Sequence, residues 1–446
     1  MLQYSSMSKI LKLSQFFLLA SITTTFIKIP SFYQYYRIAD LLLFISFIFI
    51  IIAIIKKQIS FWEDKKLAKI ILFIIGVNIF GSILGLLIYK TFPLQPVILN
   101  YARLASCLII FFEIILLSQQ DKTIFKKSLL CLMGSLVIIP IAYVFQSIGL
   151  VDYLMYDPSR FSGLLVDPNY FANFQIIPTL LLLFYIMRAG TQTKYKAILY
   201  IGFVFSVSII LWSGSRSGIL GLLVSILILL FFFIRFSKLP KIKIAIIALS
   251  IIMALPLGFT FVPKYKQIYR QPNTETSQPQ KSSGQINNFL LKIKNNEKVE
   301  QKSRVETFAS VPNLVNGQDR LGIWKRSLYF ILKNPFGYGP GYNSIINITG
   351  EGFNHRVVHN FELELLLQGG ILLFIFFNYY FTKLLLEIYK SFYFKNFNEM
   401  HALIAIIIGI LTSGLFLDSI PEKWVWIIIA FIIVYDRQIN DNKMAV

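Results

Sequence analysis

The sequence predicts an all-α polytopic membrane protein of about twelve transmembrane helices, with one long loop on the translocated side. Hydrophobic residues make up 56% of the 446 and charged residues only 15%, and the mean hydropathy is +0.65. A water-soluble domain could not cover so much apolar surface with polar side chains. Apolar stretches near the roughly 20 residues that cross a bilayer recur along the chain. We therefore expect residues 1–446 to form a single integral membrane domain.

Twelve apolar segments fit this description. They cover residues 10–29, 38–55, 68–88, 97–117, 128–148, 168–187, 195–212, 217–236, 243–262, 362–385, 401–418 and 423–436. The first begins like a signal peptide, but Phe26-Ile-Lys-Ile-Pro30 offers no small-residue cleavage site, so we expect a retained helix. Cys107 and Cys131 fall inside these segments, where each is best explained as a small apolar side chain.

Lys and Arg residues in the short connections predict the orientation, because cytoplasmic loops hold positive charge. With the N-terminus inside, the cytoplasmic connections carry 22 such residues and the opposite ones carry six. Those six are Lys28, Arg37, Lys90, Arg160, Arg216 and Lys423. Both termini are therefore expected in the cytoplasm. The same bias explains much of the net charge of +21, which favours anionic membrane lipid over nucleic acid as a partner.

Residues 263–358 form the long translocated loop, between the ninth and tenth predicted helices. Its stretch 271–303 is rich in Gln, Asn, Ser, Thr and Lys, and predicts a mobile segment without chemistry. Residues 320–333 predict an amphipathic helix along the membrane surface. Its predicted apolar stripe consists of Ile323, Leu328, Ile331 and Leu332. Asn334-Pro335 should end that helix, and Phe336-Gly-Tyr-Gly-Pro-Gly-Tyr342 should form a tight turn.

The segment Trp212-Ser-Gly-Ser-Arg-Ser-Gly218 joins two spans in so few residues that Arg216 must stay near the lipid headgroups. An arginine reaching the interface is the simplest explanation. However, three hydroxyls and two glycines beside Arg216 supply side-chain and backbone donors, which suit a phosphate or diphosphate. We therefore predict that this turn, with Ser213 and Ser215, binds an anion.

Other polar residues lie where predicted spans begin. Asp167 precedes a proline at the sixth span, where helix capping is the favoured interpretation. His359 precedes the tenth span beside Asn360, where its imidazole suits proton transfer from a hydroxyl at neutral pH. Arg103 lies within the fourth span; it either joins the anion site or pairs with Glu113.

Three of these segments together resemble the ordered motifs of the O-antigen polymerase and ligase family. They are Ser213-Gly-Ser-Arg-Ser-Gly218, Asp319-Arg-Leu-Gly-Ile-Trp324 with Asn334-Pro-Phe-Gly-Tyr-Gly-Pro-Gly341, and His359-Asn360 followed by a glycine pair. The resemblance covers residues 155–436. Each run is common alone, but their order and shared side of the membrane are specific together. The resemblance implies a GT-C-like helical fold in the bacterial inner membrane.

Members of that family take a glycan from undecaprenyl diphosphate and join its reducing end to an acceptor hydroxyl. In the ligase branch the acceptor is lipid A-core, and in the polymerase branch it is another lipid-linked repeat. His359, Asn360 and Gly370 fit the ligase pattern, although Leu373 stands where Gly, Thr or Tyr is expected.

A polymerase loop pattern, Arg followed after ten residues by Gly, is met by Arg326 and Gly337. The two patterns therefore leave the branch open.

The resemblance also assigns roles to residues. Arg160, Arg216 and Arg320 are expected on the diphosphate, and His359 is expected to take the acceptor proton. Further substrate contacts are expected from Ser213, Ser215, Asn360, Arg326 and Arg103. The translocated loops contain no paired-carboxylate spacing for a divalent metal, so neither a metal nor another cofactor is expected.

The expected partners are the lipid-linked donor, a glycan or lipid A-core acceptor, membrane lipid and other envelope polysaccharide proteins. A twelve-helix secondary transporter or flippase of the same pathway is the main alternative. Transporters, however, place charged residues near the bilayer midplane, and the predicted spans contain few acids. A lipid-binding protein without catalysis is a third reading, and it would have no use for His359.

Overall fold

The protein is described by a computed structural model that covers residues 7–25, 27, 37–59, 65–89, 94–147, 165, 167–188, 193–236, 242, 249, 252–253, 320–346, 358–391, 397–417 and 422–444. The predicted mobile stretch 271–303 lies outside these residues, as does nearly all of the predicted ninth span, 243–262.

The described residues form a helical bundle. Its helices are α1 (Lys9–Thr23), α2 (Ile38–Ile55), α3 (Lys65–Tyr89), α4 (Leu94–Gln120), α5 (Ile124–Ser147), α6 (Pro168–Arg188), α7 (Thr193–Trp212), α8 (Arg216–Phe236), α9 (Arg320–Lys333), α10 (Tyr342–Ile345), α11 (Phe361–Ser391), α12 (Glu399–Gly414) and α13 (Lys423–Met444). By length and composition alone, α2, α3, α4, α6, α8 and α11 are long and apolar enough to cross a membrane. The full set of twelve spans stays a prediction.

Several boundaries agree closely with the predicted spans, most clearly at α2, α6 and α8. The first span was predicted to reach residue 29, but α1 ends at Thr23. Three consecutive threonines, Thr23 to Thr25, turn their hydroxyls back onto carbonyl groups of the preceding turn. Such local bonds compete with helix propagation, which explains the earlier end.

The centre of the bundle is α6, whose most apolar 18-residue window is 89% buried, against 28% for α2 and α3. Small residues let its neighbours approach closely. A side chain at Gly218 of α8 would overlap Ala172 of α6, and one at Gly221 would overlap the carbonyl of Gly409 in α12. Close approach through small residues is typical of helix packing in membranes.

Helices α8 and α12 run antiparallel. Ser225 and Gly221 of α8 meet Gly409 of α12, while Phe236 at the far end of α8 contacts the ring of His401 near the start of α12. The N-terminus of α8 and the C-terminus of α12 therefore lie at the same end of the bundle.

Helix α11 was predicted as one continuous span, 362–385, but it is broken at Gly370, whose φ of 65° and ψ of −162° are not helical. Asn378 Nδ2 donates to Glu362 Oε2 at 3.3 Å, and the rings of Phe361 and Phe377 lie 5.2 Å apart. Sixteen residues of straight helix would separate such pairs by about 24 Å. The two arms, 361–369 and 371–391, therefore fold back on each other as a helical hairpin.

Candidate active site

The polar segments meet at one end of the bundle, which we call the polar end. It is marked by Arg216 at the start of α8, Leu415 just after α12, Asn360 just before α11 and Glu422 just before α13. Asn360 Nδ2 donates to the Leu415 carbonyl at 3.1 Å, so the start of the α11 hairpin is tied to the end of α12. The opposite end is marked by the ion pair of Arg188 and Glu399.

The turn before α8 presents Arg216. Ser213 Oγ donates to the Ile210 carbonyl at 2.6 Å and accepts from the Ser215 N–H at 3.2 Å. Ser215 Oγ accepts from the Gly218 N–H at 3.2 Å, which is the bond of a helix N-cap. Both serines are fully buried, whereas Arg216 is exposed. The hydroxyls therefore build the turn that places the guanidinium, and their contact with a ligand stays a prediction.

His359 is held in unusual backbone geometry at the start of α11. Its φ is 51°, a left-handed value that few residues other than glycine adopt. Its neighbour Asn360 caps α11, since Asn360 Oδ1 accepts from the Leu363 N–H at 2.9 Å. On the other side, the Val358 carbonyl accepts from Trp324 Nε1 at 3.1 Å. Strained backbone of this kind concentrates at functional sites, and here both neighbours of the half-buried imidazole are anchored.

Helix α9 forms over residues 320–333, as predicted, but the four residues of the predicted apolar stripe divide between two faces, with Ile331 packed on the same side as Ile323. Ile323 is buried, whereas Leu328 and Leu332 are 50% and 82% exposed. The face turned inward also includes the buried Ser327 and the partly buried Phe330. Both faces of this helix are apolar, one against protein and the other typical of contact with lipid, so periodicity could not tell them apart.

The glycine turn after α9 docks onto the break in α11. The N–H groups of Tyr338 and Gly339 donate to the carbonyls of Leu367 and Gln368, each at 2.7 Å, and the Ile371 N–H donates to the Pro335 carbonyl at 2.8 Å. These bonds satisfy backbone groups that the break at Gly370 releases. Two motifs that are separate in the sequence thus form one structural unit.

This unit depends on positive φ values. Gly337 and Gly339 have φ of 84° and 80°. A side chain at Gly339 would also overlap Ser82 of α3. The glycine-rich composition of the turn is therefore required both by its backbone and by its contact with α3.

A buried network of charges also lies at the polar end. Glu422, only 1% exposed, accepts from Arg37 at 2.5 Å and also pairs with Arg103. Next to it, Lys423 Nζ lies 2.6 Å from Asp40 Oδ1. The network joins α2, α4 and α13, and it carries a net charge of +1 from three cations and two carboxylates.

Of the two alternatives predicted for Arg103, the pairing with Glu113 is wrong, because Arg103 pairs with Glu422. Glu113 accepts instead from Ser46 Oγ at 2.5 Å. Sequence reasoning missed Glu422 because it considered acids within or near the same span, whereas this one is supplied by the last helix of the chain. The one local sequence signal for Glu422 is that an acidic residue precedes Lys423 and Trp424 at a helix start. Trp424 also contacts the network, since the Arg37 guanidinium lies 5.1 Å from the centre of its ring.

The remaining predicted residues have mixed outcomes. Arg160 lies outside the described residues. Arg320 is the first residue of α9, but its side chain lies outside the described part, and Arg326 is half-buried on the same helix. Asp167 caps α6 as expected, because its Oδ1 accepts from the Asn169 N–H at 2.7 Å.

Two further observations bear on chemistry. His401 packs among Phe232, Phe236 and Phe397 at the opposite end of the bundle, which is a structural environment. Among the described residues, no three His, Cys, Asp or Glu side chains are grouped to hold a metal ion. A metal-independent reaction stays a prediction.

Comparison with known proteins identifies one region. Residues 201–378 match a family model described as O-Antigen ligase. The matched stretch runs from α7 to the second arm of α11, and so includes the turn at Arg216, helix α9, the glycine turn and His359. No curated protein matches the chain.

Proposed function

Since residues 201–378 confirm the resemblance to the O-antigen ligase and polymerase family, we propose that this protein transfers a glycan from undecaprenyl diphosphate to an acceptor hydroxyl. One observation carries the proposal: polar segments far apart in the sequence meet at one end of the helical bundle. Arg216 is the first residue of α8, and His359 and Asn360 directly precede α11. The hydrogen bond from Asn360 to the Leu415 carbonyl joins the start of α11 to the end of α12.

Arg216 is proposed to hold the donor diphosphate. It stands at the N-terminus of a 21-residue helix, where the helix dipole favours an anion. Its planar guanidinium can donate to two phosphate oxygens at once. Arg160 and Arg320 are proposed as further contacts to the diphosphate, and Ser213, Ser215, Asn360, Arg326 and Arg103 as neighbours of the substrate.

His359 is proposed to accept the proton of the acceptor hydroxyl. As the acceptor oxygen forms its bond to the anomeric carbon, the bond from that carbon to the phosphate oxygen breaks. Undecaprenyl diphosphate then leaves with the electron pair, stabilised by the arginines. The proton passes to the imidazole of His359, which acts as the general base.

The proposed setting is the bacterial inner membrane, with both termini in the cytoplasm and residues 263–358 in the periplasm as part of a single integral membrane domain. The acceptor is either lipid A-core or another lipid-linked repeat. The family match gives no support to the alternative of a secondary transporter or flippase.

The test is glycan transfer from purified undecaprenyl-diphosphate oligosaccharide in detergent, with donor binding measured alongside and chelator present. His359→Ala should lower transfer by at least about 100-fold while donor binding persists, because a general base contributes about 10²–10⁴-fold to the rate. Arg216→Lys should lose donor binding, since an ammonium lacks the bidentate fork.

Arg235→Lys is the matched control, because Arg235 is exposed at the other end of the same helix and should behave as the native protein. Native transfer by His359→Ala would overturn the assignment of the base. Complete inhibition by chelator would overturn the metal-free mechanism.

A further inference from the structure

An apolar cleft lies between α3, α4, the second arm of α11 and α13, and runs from Trp426, four residues after Glu422, towards the end of the bundle opposite the polar end. Its volume is about 210 Å³; for comparison, an apolar cavity of about 150 Å³ holds a benzene molecule. The side chains along it include Ile70, Phe377, Tyr380, Trp426 and Ile429. None of them belongs to the proposed glycan-transfer site.

One end of the cleft is charged. Lys383, Asp436 and Arg437 line it there, which gives a net charge of +1. Along α13 this charged group is eleven residues from Trp426, or about 16 Å of helix. That length is close to half of the roughly 30 Å hydrocarbon core of a bilayer. The apolar part of the cleft is therefore about as long as an acyl chain within one leaflet.

The charged end is the cytoplasmic one in the orientation that the loop charges predict, since Lys383 and Arg437 are among the 22 cytoplasmic-side cations. Anionic lipids concentrate in that leaflet and bind basic pockets between transmembrane helices. Lys383 also borders a second, more open cleft on the other face of the α11 arm, beside Phe374, Tyr379 and Leu386. A phospholipid with its headgroup at Lys383 thus has space for one acyl chain along each face of the second α11 arm.

We propose that this cleft binds an anionic phospholipid. One acyl chain lies against the aromatic side chains of the second α11 arm, and the phosphate lies at Lys383 and Arg437. The site goes beyond the proposed glycan transfer and does not depend on it, because Arg216, which is proposed to hold the donor diphosphate, lies at the polar end. The bound lipid then packs between α11, α3 and α13.

Trp426 provides a direct readout. The protein in nanodiscs of phosphatidylcholine is titrated with phosphatidylglycerol brominated on its acyl chains, because bromine quenches indole fluorescence on contact. We expect saturable quenching that Trp426→Phe removes, with weaker quenching by brominated phosphatidylcholine. Ile70→Phe, which fills the cleft, should also reduce it.

Variants of the two basic residues test whether their charge contributes to lipid binding. Lys383→Gln and Arg437→Gln should each weaken binding of brominated phosphatidylglycerol about fivefold, which is the contribution of one cation near an anionic headgroup. Lys126→Gln is the matched control, because Lys126 is exposed on α5, on the same predicted side of the membrane, but lies outside the cleft. This variant should bind brominated phosphatidylglycerol with native affinity.

Equal quenching by the two brominated lipids in the native protein would overturn the proposal, as would native affinity in the Lys383→Gln/Arg437→Gln double variant. Displacement by undecaprenyl phosphate at lower concentrations than by phosphatidylglycerol would assign the cleft to a polyprenyl lipid and would equally overturn it.

Discussion

Asn378 donates a hydrogen bond to Glu362 although sixteen residues of α11 separate them. The bond exists because the chain reverses at Gly370, and the reversal is held by the glycine turn, whose N–H groups cap the carbonyls at the end of the first arm. The position of His359, at the start of that arm, therefore depends on residues from both sides of the break.

Gly370→Ala should disrupt this hairpin. Its φ of 65° disfavours a side chain, and a Cβ there would overlap the Pro335 carbonyl. We expect a loss of roughly 1–3 kcal/mol of stability from the backbone alone, together with a large loss of glycan transfer. Chemical denaturation in detergent and the transfer assay measure the two effects.

Gly76→Ala is the control for that substitution, because a Cβ at Gly76 in α3 meets no atom within 4 Å. It should be neutral or stabilising, by up to about 1 kcal/mol. If Gly370→Ala were as stable and active as Gly76→Ala, the hairpin would not be needed for the site.

Glu422→Gln should strongly destabilise the bundle. It leaves the guanidinium groups of Arg37 and Arg103 without their carboxylate in a buried setting, which typically costs about 3–5 kcal/mol. The comparison is Glu399→Gln, which breaks the pair with Arg188, whose side chain is 50% exposed, and should cost at most about 1 kcal/mol. Equal denaturation midpoints for the two variants would contradict a stabilising role for the network.

Trp324→Phe should affect catalysis more than binding. It removes the hydrogen bond from Nε1 to the Val358 carbonyl and so loosens the backbone next to His359, while an aromatic ring is kept at this position. We expect kcat to fall about 5–10-fold, the value of a lost hydrogen bond, with donor KM unchanged. Tyr329→Phe, on the exposed face of the same helix, should keep native kcat. A fall in donor affinity instead would assign Trp324 to the donor site.

Cysteine labelling tests the orientation. In a variant with Cys107 and Cys131 replaced by alanine, a cysteine at Ser282 should react with an impermeant maleimide applied from outside, because the long loop is predicted to be translocated. A cysteine at Lys122 should react only after the membrane is opened. The reverse pattern would remove the long loop, and His359 with it, from the periplasmic face.

Local signals allowed a large part of this structure to be predicted. Proline and glycine rules located the end of α9 and the turn that follows, and the Asp167-Pro168 step gave the start of α6. These features depend on a few adjacent residues. The pairing of Arg103 with Glu422 joins residues 319 apart in the sequence, so only the packing of α4 against α13 could show it.

The glycines illustrate a second reason for incomplete prediction. Gly370 was identified by its spacing from His359, but the same spacing is compatible with an unbroken helix. What breaks the helix is the presence of donors from the Pro335–Gly341 turn, which lie on another segment. The interaction that gives Gly370 its role is therefore absent from the local sequence.

The network at Glu422 also imposes an order on biosynthesis. Arg37 enters the membrane region near the start of translation, but its carboxylate partner is 385 residues further along the chain. At ribosomal speeds of 5–20 residues per second, about 20–80 seconds pass before Glu422 emerges. Until then Arg37 and Arg103 lack their carboxylate partner and must stay hydrated at the membrane boundary. This delays the final packing of α2 and α4. The polar end of the bundle is therefore complete only when the final helix has been inserted.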